Sequence, residues 1–527
     1  MTTTATIGQF ARLSRRSELV QPTARLLLLQ RAMQTLASET DVATSRVRPY
    51  AEMPGPTPIP FLGNTWRFIP FIGNFKIHEV DKVSRRLHEE YGDIVKMEGL
   101  LNRPDMVFVY DADEIERIFR QEERMPHRPK MPSLDYYKHT LRKDVFCENP
   151  GVIAVHGEGW YNFRSKVQQV MLQPRTARMY IGTIDEASQA FLERIEKIKD
   201  EADEVPGNFL SEIHKWSLES IARVALDVRL GCLDAEHAPR ETQELINAVL
   251  VFFKNVGVLE LKIPFWKFFS TPTWRKYINA LDVILSTTSK YTREALERAK
   301  LCNKEKDELS LLERVLAIEG NERLATTLAF DLFLVGIDTT SNSVASVLYQ
   351  LALHPEKQDI LYQEIKRVLP ADGRFEAGHI DQLKYLKACV RETQRMYPVV
   401  IGNGRCTQSD TVISGYHVPK GVHVVFQHYV ISNTERYFPK CQQFLPERWI
   451  GSGSLEAPAP RHAFASLPFG YGRRMCLGRR FAELEIIVVL SKIFRRYRVE
   501  YHHEKLEYYI DPMYTPKGPL KFKFVKR

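Results

Sequence analysis

Apolar positions along the chain recur mostly at helical spacing, and the strand-like stretches are few and short. Two of the latter, Ile94–Met97 and Met106–Tyr110, precede a helix-like stretch near Asp113–Arg120. From about residue 158 to 400 the pattern predicts helix after helix, punctuated by Gly231, Pro264, Pro272, Gly320, Pro355 and Pro370. The segment Leu324–His354 contains no proline and stops before Pro355; at ~1.5 Å per residue it is a rod of about 45 Å. Its middle, Leu328–Ile337, is apolar almost all round, which predicts a helix buried on most faces. Asp331 and Asp338 interrupt it, so it does not read as a membrane span. Beyond residue 400, Val412-Ile413, Gly415-Tyr416 and Val418–Gly421 predict short strands and turns. Val422–Phe426 predicts a further strand, Gly451–Pro460 a loop and Phe481–Tyr497 a final amphipathic helix. The predicted class is mainly α, α+β in type, without the strand–helix alternation of a doubly wound sheet.

The N-terminal stretch differs in make-up. Residues 1–48 hold Arg12, Arg15, Arg16, Arg25, Arg31, Arg46 and Arg48 against Glu18, Glu39 and Asp41, among many Ser, Thr and Ala. Ile7, Phe10 and Leu13 fall on one helical face. This predicts a mitochondrial transit peptide, with a disordered basic tail as the alternative. The longest apolar run, Leu26–Leu29, is far short of the ~18 residues of a spanning helix, so no N-terminal anchor is expected. Pro54-Gly55-Pro56, Pro58, Pro60 and Gly63-Asn64 punctuate the adjoining stretch of chain. The expected organisation is a tail over 1–48, a proline-rich hinge over 49–64 and one body over 65–527.

Charge and cysteines narrow the classes. The excess of 74 Lys plus Arg over 65 Asp plus Glu gives +9, too dilute for a nucleic-acid binder. It suits an acidic protein partner or an anionic membrane surface. The seven cysteines are dispersed, odd in number and free of CxxC pairs, which excludes a disulfide framework or zinc ribbon and predicts a reducing compartment.

One segment carries candidate chemistry: Phe469-Gly470-Tyr471-Gly472-Arg473-Arg474-Met475-Cys476-Leu477-Gly478. Gly470 and Gly472 permit a tight turn close to a flat ligand, and Arg474 offers a donor fork to a carboxylate. Cys476 precedes a predicted helix, whose free N–H groups favour the thiolate and lower its pKa. Gly478 leaves out a side chain where a ring would pass. A lone cysteine would read as a structural residue; the ten-residue spacing favours a metal ligand. Gly402-x-Gly404 and Gly451-x-Gly453 lack a strand–turn–helix context and are loops rather than dinucleotide fingerprints.

This loop resembles that of the cytochrome P450 family, and the resemblance extends over roughly residues 54–527. It implies the family's fold, a helix-rich triangular body with small sheets and a long central helix over the haem, with Cys476 as thiolate ligand of the iron. Glu392-Thr393-Gln394-Arg395 matches the family's ExxR, and Pro446-Glu447-Arg448-Trp449 stands where its PERF-type segment should. The resemblance implies that Glu392, Arg395 and Arg448 form a buried structural network. Gly336-Ile337-Asp338-Thr339-Thr340 is similar to the family's oxygen-binding groove, implying Asp338 and Thr339 as a proton relay and Gly336 as room for the oxygen. Val335 departs from the usual alanine and would narrow the pocket. Trp160–Arg164 matches the WxxxR helix; with Arg405 it implies haem-propionate partners. Phe469, Arg474, Cys476 and Gly478 complete the expected cofactor site.

No flavin or iron–sulfur signature is visible, so electrons are expected from a separate protein. Lys384, Lys387 and Arg391 share one helix face. Lys387, Arg391, Arg479 and Arg480 resemble the positions at which mitochondrial-class members bind an adrenodoxin-like ferredoxin, itself reduced by an NADPH-dependent reductase. Phe252, Phe253, Leu259, Leu261, Ile263, Phe265, Trp266, Phe268, Phe269 and Trp274 cluster with Lys254, Lys262 and Lys267. By resemblance this is the lid over the substrate channel. It is either a core-facing helix pair or a surface that dips into the inner membrane from the matrix side. Val399–Arg405 and the cysteine loop resemble insect mitochondrial members of cuticle-forming and detoxifying subfamilies. The implied reaction is hydroxylation of a small apolar substrate, steroid-like, lipid-like or xenobiotic. Two rivals remain: a haem-thiolate isomerase or dehydratase, against which Asp338-Thr339 argues, and a haem-thiolate sensor or carrier without turnover.

Overall fold

The computed structural model describes residues 47–101, 103–234, 239–262, 264–301, 308–370, 374–451, 456–510 and 513–527. The transit-peptide expectation therefore lies almost wholly outside the described residues, as do Ile263 and the Leu261 side chain. The chain divides into two compact units. The smaller comprises, among described residues, 47–53 and 410–418: a hairpin of Thr411–Ile413 and Tyr416–Val418, to which Arg48 is bonded through Gly415 O and His417 N, both at 2.9 Å.

The larger unit holds every other element and the candidate site. Its helices of eight or more described residues are α1 Val80–Tyr91, α2 Ala112–Arg120, α3 Gly157–Leu172, α4 Ile181–Ile198, α5 Phe209–Leu226, α6 Arg240–Leu261, α7 Pro272–Leu301, α8 Leu311–Glu319, α9 Glu322–Leu353, α10 Pro355–Val368, α11 Lys384–Met396 and α12 Arg479–Arg496. Local chemistry sets several ends. Asp111 caps α2 by accepting from Glu114 N, and Ser310 and Glu313 form a reciprocal capping box on α8. Asn321 caps α9 through Leu324 N, which starts the helix two residues before the apolar pattern does. Pro355 ends it.

The α9 helix is the hub, packed by α5, α6, α7, α8, α11 and α12. It is the one helix among the described residues long and apolar enough to cross a membrane, yet most of it lies inside the core. A four-stranded sheet is built from β1 (Ile94–Met97), β2 (Met106–Val109), β3 (Asn403–Cys406) and β4 (His423–Phe426), in the order β1-β2-β4-β3; the β2–β4 pair is parallel and the others antiparallel. The register sets Arg405 opposite Val424. Near the C-terminus, Tyr497–Glu500 pairs with Lys523–Lys526 and Glu507–Ile510 with Tyr514–Lys517, neither foreseen from the apolar pattern.

The proline-rich stretch expected as a hinge is instead docked on the body from Pro54 onward. Lys96 N bonds Pro54 O at 2.8 Å, and the buried Asn64 amide donates to Pro56 O and Glu98 O. A Cβ on Gly55 would meet Lys96 O at 2.0 Å, so this segment is fitted against β1.

Candidate active site

A cavity of about 440 Å³ lies between α9 on one side and the Phe469–Gly478 loop on the other. The loop is shaped by its glycines. Gly470 and Gly472 have φ of +69° and +73°, and Cys476 N closes back on Phe469 O at 2.9 Å. Phe469, Arg474, Cys476 and Gly478 all line the cavity, as do Trp160 and Arg164 from α3. At Gly478 a Cβ would project into space with no protein atom within 4 Å, as a glycine facing a ligand requires.

Solvent reaches the Cys476 thiol through the cavity although dense protein surrounds it. The N–H groups of Gly478 and Arg479 and the guanidinium groups of Arg128 and Arg164 all favour the thiolate, as expected at a helix start. Burial outweighs them, and the net shift is upward rather than the predicted depression. A metal cation on the sulfur would reverse that balance, because a coordinating thiol is deprotonated by the ion itself.

Cations crowd the rim. Arg474 is buried, with its guanidinium 3.7 Å above the Trp160 ring, and donates to Pro126 O and Val155 O at 2.8 and 3.0 Å. Arg164 donates to Met475 O at 2.9 Å, while its buried Nε has no partner. Arg128 donates to Arg474 O. Burial, with repulsion from Arg405 and Arg164 on Arg128 and from Arg128, Arg405 and Arg164 on Arg474, pushes the three guanidinium groups down to about 10 (Arg128), 10 (Arg164) and 9 (Arg474). Burial and the same cations push His156 down to about 4. Arg405 is buried on β3 and turned to Glu122, with Nε to Oε1 at 2.5 Å. Burial raises the Glu122 carboxyl against the pull of Arg405, and its Oε2 is left without a partner.

The opposite wall takes Val335, Gly336, Thr339 and Thr340 from α9. Thr339 Oγ1 donates to Val335 O at 2.8 Å. A Cβ on Gly336 would meet Ile221 Cδ1 at 2.9 Å, so this glycine is needed for close packing on α5 as well as for the wall. The expected acid–alcohol pair divides: Thr339 faces the cavity, and buried Asp338 is held by His214 of α5 at 3.1 Å. The remaining walls are mostly apolar, with Met131, Ile153, Leu328, Leu332, Val399 and Val400.

The expected ion network is formed and buried. Glu392 Oε1 accepts from Arg395 Nη2 at 2.8 Å and from Arg448 Nε at 3.1 Å, and its Oε2 accepts from Trp449 Nε1 at 2.8 Å. All three charged side chains are fully buried, and both arginines spend their other donors on backbone carbonyls such as Ser432 O and Pro439 O.

The sequence profile of the family "Cytochrome P450" matches residues 53–524. The chain belongs to the cytochrome P450 family. Members are monooxygenases that use thiolate-ligated haem. This P450 is 46% identical to Probable cytochrome P450 49a1 of Drosophila melanogaster, over 96% of this chain and 88% of the relative. It is 48% identical to Probable cytochrome P450 301a1, mitochondrial, from the same fly, over 91% and 87%. It is 35% identical to Cytochrome P450 CYP12A2 of Musca domestica, over 91% of both chains.

The donor set of this P450 fits haem. Among the described residues no group of three or more His, Cys, Asp or Glu is placed to hold a bare metal ion, so a single thiol suits an iron whose other ligands come from a macrocycle. Crowded guanidinium groups, one with a partnerless Nε, suit its carboxylates. Arg128 and His156 had no local signature; their part in the rim depends on contacts with a loop more than 300 residues away.

On α12, Glu483 pairs with Arg479 at 2.9 Å and Arg480 at 3.7 Å. Lys387 feels both Glu483 and Arg391, so the four basic residues gather in one patch. The aromatic cluster divides. Phe252, Phe253, Leu259, Trp266 and Trp274 are buried, while Phe265, Phe268 and Phe269 are exposed beside exposed Lys262 and Lys267.

Proposed function

We propose that this P450 hydroxylates a small apolar substrate at a haem held by Cys476, in mitochondria, with electrons from an adrenodoxin-like ferredoxin and its NADPH-dependent reductase. The observation that carries this is the cavity itself: one thiol at its floor, Arg128, Arg164 and Arg474 crowded at its rim, and an apolar wall above. Bound haem supplies activation of dioxygen, with one atom entering the substrate and the other leaving as water.

The chain's own residues do the rest. Arg164 and Arg474 hold the propionates and Trp160 supports Arg474 from below; Arg405 acts through Glu122 at the same rim. Gly478 and Phe469 shape the proximal surface. Glu392, Arg395 and Arg448 fix the geometry beneath without touching substrate. Thr339 presents a hydroxyl to the cavity, and Asp338 supplies protons to it on leaving His214. Val335 narrows the space over the site, and the apolar walls favour an apolar substrate. Lys387, Arg391, Arg479 and Arg480 receive the ferredoxin. Phe265, Phe268 and Phe269, flanked by lysines, rest on the inner-membrane surface from the matrix side. The names of relatives such as 301a1 and the arginine-rich residues 1–48 support the compartment, with 1–48 as the transit peptide.

A steroid-like or lipid-like compound is the proposed substrate class, ahead of a xenobiotic. The test is spectroscopic. The reduced carbon monoxide complex of the wild type should show the red-shifted Soret band of a thiolate ligand, and Cys476→His should abolish that shift while retaining haem. An unshifted band in the folded, haem-loaded wild type would overturn the assignment.

A further inference from the structure

Residues 131–155 form a wrap whose two ends, Met131 and Val152–Val155, are part of the cavity wall. The wrap contains a π-helical turn, Tyr137–Leu141, closed by Arg142 N on Tyr137 O at 2.9 Å. Its Lys138 is fully buried. The ammonium donates to Asp331 Oδ1 at 2.8 Å and to the carbonyls of Pro150 and Ile153 at 3.1 and 3.2 Å, between the rings of Phe146 and Phe330. Asp331 sits on α9 and itself lines the cavity. Its Oδ2 accepts from Val152 N at 2.7 Å and Ile153 N at 3.4 Å. Gly151 turns with φ +86°, and a Cβ there would lie 2.3 Å from that oxygen.

We propose that the Lys138–Asp331 pair is a positioning clamp that fixes the cavity wall at residues 152–155 and so selects which apolar ligands fit. This rests on the reading of the cavity as the haem and substrate pocket. The argument is geometric. Both charges bond directly to the backbone of the wall, so one ion pair sets the position of two amides and two carbonyls. An apolar pair of similar size would hold the core at least as firmly, because desolvation offsets much of the attraction in a buried ion pair. Polar fixing of a loop is what apolar packing does not supply, since packing is non-directional. The same wrap is fastened elsewhere. Tyr137 and Arg142 bond Asp282 of α7, and Ser133 N and Oγ bond Glu260 of α6. Among the described residues, Lys138 is the one charged side chain of this segment that pairs with a charged residue lining the cavity on α9.

The test uses the haem-loaded full chain with two azoles, imidazole and 4-phenylimidazole, whose binding is read from the Soret shift. Asp331→Asn strands Lys138 as an unpaired buried charge. Lys138→Met with Asp331→Asn removes both charges and serves where the single variant does not fold. With the clamp gone, 4-phenylimidazole should bind about 10-fold more weakly. Imidazole, too small to reach the wall, should stay within about 2-fold of wild type. The Val152 and Ile153 amides should exchange at least about 10-fold faster. Haem content and the carbon monoxide spectrum should not change. The proposal is overturned if neither azole nor amide exchange responds. It is also overturned if both azoles weaken together with loss of haem, which is a structural role alone. A wild type with no azole shift would refute the pocket assignment instead, and amide exchange would still decide the clamp.

Discussion

Glu485, on α12, lines the cavity wall and is buried, with Ser220 Oγ of α5 bonded to it at 2.6 Å. Burial raises its carboxyl from 4.5 to about 7, opposed only weakly by that hydroxyl. The unfolded chain then loses the proton near its ordinary carboxylate pKa, while the folded protein keeps it until pH is near 7. Between those values the folded state binds more protons, so stability falls as pH rises and levels off above about 7. The loss across that window is on the order of 3 kcal/mol for this group. Glu485→Gln keeps an acceptor for Ser220 and carries no charge. Chemical denaturation should show it stabilised at pH 8 and little changed at pH 5; equal effects at both values would refute the assignment. Nothing local in the sequence marks Glu485 apart from Glu483 two residues earlier. The first lies in the interior, where burial raises its carboxyl, and the second pairs with surface arginines, a difference set by which face of α12 meets α5. Distance along the chain hid other partners in the same way. Lys138 and Asp331 are 193 residues apart, His214 and Asp338 124, and Glu122 and Arg405 283. Cys476 was legible because its loop is local: Gly470 and Gly472 announce the turn, and the helix follows at once.

At the level of elements, periodic patterning placed the long helix, the early strands and the last helix to within about two residues, where caps such as Asn321 decide the end. It missed the π-helical turn, whose apolar spacing over five residues is that of any short helix. The C-terminal pairings escaped as well, since four-residue strands carry too few positions to show a period of two. The ExxR helix α11 shows how one element governs several others. Glu392 alone joins Arg395, Arg448, Trp449 Nε1 and Leu445 N, tying α11 to the 445–449 segment. Removing one partner leaves a buried charge uncompensated, at a cost of about 3–5 kcal/mol. Glu392→Ala should lower stability to denaturant by that amount and cost haem retention. Arg448→Lys should fail to rescue the fold, because a single ammonium cannot replace a guanidinium that reaches Glu392, Pro439 O and Pro458 O in three directions. Wild-type stability in Arg448→Lys would show that charge alone, not the donor fork, holds this corner.

For the whole molecule, the +9 charge matters less as a sum than as a placement. Arg479 and Arg480 begin α12 directly after the cysteine loop, so the basic patch they form with Lys387 and Arg391 adjoins that loop. Glu483, bonded to both arginines of α12, holds the patch together while leaving its balance positive. An acidic partner approaching this face is steered by long-range attraction, which acts mainly on association. Lys387→Glu with Arg391→Glu should therefore raise the apparent KM for an adrenodoxin-like ferredoxin by about 10-fold at low salt, with a smaller effect on kcat. The penalty should shrink as ionic strength rises from ~0.01 M to ~0.15 M, because the screening length drops from about 30 Å to about 8 Å. Reversal at Arg240, on α6, should leave KM unchanged, and neither variant should alter the carbon monoxide spectrum. A penalty that persisted at high salt would mean that the substitutions had damaged α11, which also bears Glu392 and Arg395, rather than an encounter surface. No penalty at any salt would remove Lys387 and Arg391 from the electron-transfer interface.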